Sequence, residues 1–158
     1  IRGNFSLLII IIFLLFQIIL FKYIILFLKG VYMKELNINQ ISKKHSQNIK
    51  IGELSQEVID LLNLNLYPQN IYIWPLRINE HCEKHKNEYS SFDSYNKTIK
   101  SIPLIIKNPD YVGLHKNGNI QYIKKLDDIS LVGIKVLNNN KTLLFRTIFP
   151  ISETKLKK

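Results

Sequence analysis

The chain has 158 residues, a single cysteine and a formal net charge of +10. That length holds one ordinary domain, and one cysteine excludes an internal disulfide and fits a reducing, cytoplasmic setting. The charge points toward an acidic partner, nucleic acid or an anionic membrane, although part of the lysine excess follows from a composition rich in Ile, Lys, Asn and Tyr, the residues of A/T-rich codons.

Residues 7–28 are apolar except for breaks such as Gln17 and Lys22, and their number matches the roughly 17 to 25 residues of a membrane helix. A buried Lys22 would cost on the order of 2.5–3.5 kcal/mol, reduced by its place toward one end. Lys29 and Lys34 follow, so a spanning segment would leave the C-terminal part in the cytoplasm. The run is too long, and lacks the small-residue cleavage site, for a secretory signal. The other reading starts from the only methionine, Met33. Lys29-Gly30-Val31-Tyr32 can be encoded by a ribosome-binding sequence at the usual distance before an ATG, so translation is expected to begin at Met33, with residues 1–32 as upstream DNA read in frame. Arg2, Lys22 and Lys29 are the only charged residues of that segment, and without them the domain keeps a net charge of +7.

Residues 33–53 read as a polar leader with a solvated His45, and residues 54–158 as the folded domain. Ser55 precedes Val58, Ile59, Leu61 and Leu62 at helical spacing, a capped helix expected to run on to Tyr67-Pro68. Residues 70–74 alternate as a short strand that Pro75 stops. From Asn79, as N-cap, a helix is expected over residues 80–89, with Ile78, Cys82, His85 and Tyr89 on one stripe and His81 and His85 on one face. Asp93 or Ser94 then caps a helix carrying Tyr95, Ile99, Ile102 and Ile106 on one side, kinked at Pro103 and closed by Asn108-Pro109-Asp110.

The remainder reads as two hairpins: residues 111–115 and 119–124 about Asn117-Gly118, and residues 129–137 and 142–149 about residues 138–141. Strict alternation puts Arg146 on a face with Leu144 and Ile148, and Thr147 with Phe145 and Phe149. Helices followed by antiparallel strands predict an α+β fold, N-terminal helices packed on one face of a four-stranded antiparallel sheet.

Scission of RNA by its own 2′-hydroxyl needs a base, an acid and cations or donors for the phosphorane charge. His81 and His85 suit the proton transfers, since imidazole titrates near pH 6.5. Arg146 suits a two-pronged hold on phosphate, Thr147 offers a hydroxyl, and Lys84 a supporting charge. Each has a plainer reading: His81 and Lys84 solvated, His85 a stripe residue, Arg146 in a salt bridge to Asp127, Asp128 or Glu80, and His115 a hairpin-tip residue. His81, Cys82, His85 and His115 do not make a recognisable zinc pattern, because H-C-E-K-H lacks the H-E-x-x-H order and there is no second cysteine. No phosphate-binding glycine loop, dinucleotide fingerprint or serine elbow is present.

The motifs S-x-E-V-I-D-L-L-N-L (residues 55–64), Y-I-W (72–74), E-H-C-E-K-H (80–85), I-I-K-N-P-D-Y-V-G (105–113), L-V-G-I-K-V (131–136) and F-R-T-I-F-P (145–150) cover most of residues 54–150. In that order they resemble the phage-associated Barnase/EndoU/colicin/RelE-like nucleases, the compact BECR-type toxin and effector domains. The resemblance implies a metal-independent endoribonuclease toxin of a phage or mobile element, without cofactor, acting on RNA and accompanied by an immunity or antitoxin protein. It maps the helix histidine onto His81 or His85 and the strand motif onto Arg146 and Thr147, with Lys84 in support. A scaffold that has lost catalysis and binds nucleic acid or protein is the alternative, and a membrane-anchored accessory protein a third, which stands only if residues 1–32 are translated.

Overall fold

The structure, a computed structural model, describes residues 17–18, 48–137 and 142–156. The chain divides into two units, Ile1–Lys34 and Glu35–Lys158. Of the first, only Gln17 and Ile18 are described, both helical, so the expectations for the apolar segment, for the leader up to residue 47 with His45, and for the turn at 138–141 lie outside the described residues. Among the described residues no helix is long and apolar enough to cross a membrane.

Among the described residues six strands, not four, form one sheet. They are β1 (Ile49–Leu54), β2 (Gln69–Ile73), β3 (Tyr111–Leu114), β4 (Ile120–Lys125), β5 (Ile129–Val136) and β6 (Leu143–Pro150), in the spatial order β1-β2-β6-β5-β4-β3. The expected antiparallel meander β3-β4-β5-β6 is present, with Asn117-Gly118 turning the first hairpin and Gly118 at φ +82 supplying the left-handed backbone that the turn requires. The addition is an antiparallel β1–β2 hairpin whose second strand joins β6 in parallel through Ile71↔Leu143 and Tyr72↔Leu144.

The segment read as leader therefore ends inside the sheet. A register shift between Lys50 and Gly52 breaks the alternation of I-K-I-G-E-L, which hides the strand from a period-2 reading. Gly52 is needed at that point: a Cβ there would sit 2.6 Å from Ile106 Cγ2.

Helix α1 (Gln56–Leu61) starts as expected, the Ser55 hydroxyl accepting from Val58 N–H at 3.3 Å. It stops well before Pro68. Asn63 adopts φ +49, Asn63 N–H donates to Asp60 C=O and Leu64 N–H to Ile59 C=O, a left-handed stop that satisfies the last carbonyls. Helix α2 (Pro75–Glu83) begins five residues earlier than the sequence suggested, because Pro75 both ends β2 and occupies the first helical turn, where its missing N–H costs nothing. Asn79 is thus an interior position rather than a cap.

Ser91, two residues before the expected Asp93, caps α3 (Phe92–Lys100) by accepting from Ser94 N–H at 3.0 Å. Pro103 starts a separate helix, α4 (Ile102–Lys107), instead of kinking a continuous one. A short α5 (Glu153–Leu156) ends the described chain.

The amphipathic spacing is borne out: Tyr95, Ile99, Ile102 and Ile106 are all buried, packed in one cluster with Ile71, Ile73, Ile120, Tyr122, Val132, Ile134 and Ile148 from the sheet. The domain is α+β, with α3 and α4 serving that face. Beyond the two-residue β2–β6 contact, α2 and the short 3-10 turn Lys86–Glu88 pack against β6.

Candidate functional site

The positions of the predicted residues depend on an irregularity in β6. Gly133 faces Thr147 and Ile134 faces Phe145, so Arg146 is an extra residue with no partner in the ladder. Such a bulge twists the strand and re-aims a side chain. Leu143, Phe145 and Ile148 are buried together as a result, and Arg146 is exposed rather than set in the expected alternation. Among the described residues Arg146 makes no ion pair. Two of the three carboxylates proposed to hold it are engaged elsewhere: Asp127 Oδ1 accepts from Lys97 Nζ at 2.7 Å, and Asp128 Oδ2 accepts from the Ser90 N–H, the Ser90 hydroxyl and the Ser94 hydroxyl at 3.1, 2.8 and 2.5 Å; the third, Glu80, forms no ion pair with Arg146.

Arg146 lines a cleft of about 450 Å³ together with His81 of α2, Lys135 of β5, Trp74 at the start of α2, and Asn48, Leu137, Thr142, Leu144 and Phe145. Register explains the convergence. Lys135 stands opposite Leu144 on the neighbouring strand, beside the bulge, while α2 carries half-buried His81 toward the same end of β6. Among the described residues no carboxylate lines this cleft, and the basic side chains of His81, Lys135 and Arg146 share it with an apolar floor. Lys135 and Trp74 were not among the site residues expected from the sequence, although a lysine following Leu131, Val132 and Ile134 in a strand and a tryptophan just before a proline carried the signal.

The other predicted residues do not line that cleft. Helix α2 ends at Glu83, so His85 does not share a helical face with His81; it precedes the 3-10 turn with φ −108 and ψ 9. Its Nδ1 lies 2.6 Å from Glu88 Oε1, and its ring sits 5.3 Å from that of Phe149. Thr147 is half-buried, its Cγ2 filling the space over Gly133, where a Cβ would come within 3.0 Å. Lys84 is exposed at the end of α2. His115 is a hairpin-tip residue, as the plainer reading had it, its Nδ1 accepting from Asn117 N–H at 3.3 Å.

Burial, and secondarily the neighbouring Glu83 charge, pushes the Cys82 thiol up to about 12, which suits an inert core residue rather than a nucleophile or ligand. Tyr89 and Tyr122 are also pushed up by burial, partly offset at Tyr89 by the Ser130 hydroxyl, and the Tyr122 hydroxyl finds no hydrogen-bond partner among the described residues. At Asp128 burial acts upward, but the hydrogen bonds from Ser94 and Ser90 outweigh it and hold the carboxyl below its ordinary value. Among the described residues no group of three His, Cys, Asp or Glu side chains comes together to hold a metal ion.

A six-stranded α+β domain with a basic, carboxylate-free cleft beside a bulged strand is nuclease-like in class. The family described as phage-Barnase-EndoU-ColicinE5/D-RelE like nuclease 3 (PBECR3) matches residues 48–158, and the chain belongs to it. That match takes in β1, in agreement with a sheet that starts at Ile49. No curated protein and no solved structure gives a match.

Proposed function

We propose that this phage nuclease-family domain is an endoribonuclease effector that cuts RNA by 2′-hydroxyl attack, without a metal ion, in the cytoplasm. The observation that carries the reading is the meeting of His81, Arg146 and Lys135 in one cleft that no carboxylate among the described residues lines. Attack of the 2′-oxygen on phosphorus breaks the P–O5′ bond and leaves a 2′,3′-cyclic phosphate and a 5′-hydroxyl. His81 carries one of the two proton transfers. Arg146 and Lys135 hold the non-bridging oxygens as charge builds on them. A cleft without carboxylates favours catalysis by fixed cations, because magnesium sites are ordinarily anchored by one or two carboxylates. His85, oriented by Glu88 and seated further along β6, is assigned the second proton transfer. Thr147 and Lys84 are assigned supporting parts, beside the bulge and at the end of α2.

The test is incubation of the full chain with RNA, with and without EDTA. Cyclic-phosphate ends that persist in EDTA and vanish at a 2′-deoxy position support the reading; equal cutting of DNA, or loss of activity in EDTA, overturns it. Growth arrest on induced expression, relieved by His81→Ala and by Arg146→Ala, is the expected cellular counterpart, and an immunity or antitoxin protein is the expected partner. A second reading, a binding module that has lost catalysis, draws on the separation of His85 and Thr147 from the lining of the cleft; binding of RNA without any cleavage would favour it.

A further inference from the structure

The cleft holds one group that phosphate chemistry leaves unused. Trp74 is 44% exposed, an unusual state for the largest aromatic side chain, and it lines the same cleft as Arg146 and Lys135. Its backbone is fixed between the last residue of β2 and Pro75 in the first turn of α2, at φ −89 and ψ 117. An aromatic held on a rigid junction loses little freedom when something packs on it. Leu137 and Leu144 extend the apolar surface, and the volume of about 450 Å³ lies within the range of pockets that take one small ligand.

Resting on the nucleic-acid reading of this site, we propose that Trp74 is a base-stacking platform, so that the cleft takes an unpaired nucleotide and the domain selects single-stranded over duplex RNA. The physical reason is access. In an A-form helix each base face is covered by its neighbours, and a side chain can stack on it only after the base leaves the helix. In a single strand the base lies on the indole at once while the adjoining phosphate meets Arg146 and Lys135. Stacking of this kind tolerates any base, so the preference is for strandedness more than for sequence.

Trp74 is the only tryptophan in the chain, which makes its own fluorescence the probe. The full chain is titrated with a short 2′-O-methyl RNA, which binds but lacks the attacking hydroxyl, and with the same strand in a duplex. The single strand is expected to quench the fluorescence and the duplex to do so only at much higher concentration. Trp74→Ala, followed by anisotropy of a labelled strand, is expected to weaken single-strand binding roughly tenfold to hundredfold, while Trp74→Phe keeps affinity within about threefold and guards against a folding artefact. Equal quenching by duplex, or unchanged single-strand affinity in Trp74→Ala, overturns the proposal. Its failure is separable from that of the nuclease reading: cleavage of unmodified RNA without quenching sinks the platform alone, and strand-selective quenching without cleavage sinks the enzyme alone.

Discussion

Among the clefts of this domain, one of about 450 Å³ beside the β6 bulge and one of about 420 Å³ between α1 and the Asn108-Pro109-Asp110 turn are similar in size. Their charges are handled in opposite ways. Around the second, Glu57 and Asp110 face a lining that also contains Lys107, and Asp110 is tied into the fold, accepting from Lys125 N–H at 2.7 Å and from Lys124 Nζ at 3.2 Å. Around the first, Arg146 and Lys135 meet no carboxylate among the described residues. Volume does not tell a site from a crevice; uncompensated charge of one sign does, because a cation that the fold leaves without an ion pair is ready to hold an anion from outside.

The sharpest way to break this comparison is to remove the cleft's own groups. Arg146→Ala is expected to lower RNA cleavage about 10²- to 10³-fold and His81→Ala about 10²- to 10⁴-fold, measured as initial rates. For exposed Arg146 the unfolding free energy should stay within about 0.5 kcal/mol of the parent. Lys107→Ala in the other cleft should change the rate less than about twofold; a loss comparable to that of Arg146→Ala would assign the chemistry to the wrong crevice.

Next in size is Gly52→Ala, where the new Cβ meets the branched, buried Ile106. The cost expected is about 1–3 kcal/mol in urea unfolding, with a smaller fractional loss of activity than for the cleft variants.

A gentler probe is acid. Asp110 is held below its ordinary value chiefly by the Lys125 N–H, against some burial, and Asp128, which burial pushes up, is held low by its serine donors together. A depressed carboxyl contributes stability above its unfolded pKa of about 3.9 and loses it as the pH falls through the folded value, so the urea midpoint should be flat above about pH 5 and fall below about pH 4. Asp128→Asn should flatten that acid limb. The smallest effect is expected of Lys84→Ala, less than about twofold on cleavage, since an exposed side chain outside the lining has little to lose.

How much of this was legible follows from the physics of each element. The meander was, because its strands are neighbours in sequence and Asn117-Gly118 marks a turn chemically. The buried side of α3 and α4 was, because 3.6-residue spacing survives the break at Pro103. The β1–β2 hairpin and its parallel junction with β6 were not: one strand is irregular, and the junction is a contact between distant parts of the chain that no local period encodes. Within the site, Arg146 was found by its oddity among apolar neighbours, but the bulge that exposes it depends on pairing with β5. His81 and His85 were read as one helical face, and the end of α2 at Glu83 separates them.

That parallel junction also sets a timetable. Trp74 and His81 belong to the early half of the domain, Lys135 and Arg146 to its last two strands, and the β2–β6 pairs that join the halves form only after the whole meander has been made. Closing so long a loop is slow compared with forming a local hairpin. The cleft is therefore expected to be assembled later than the local hairpins that flank it.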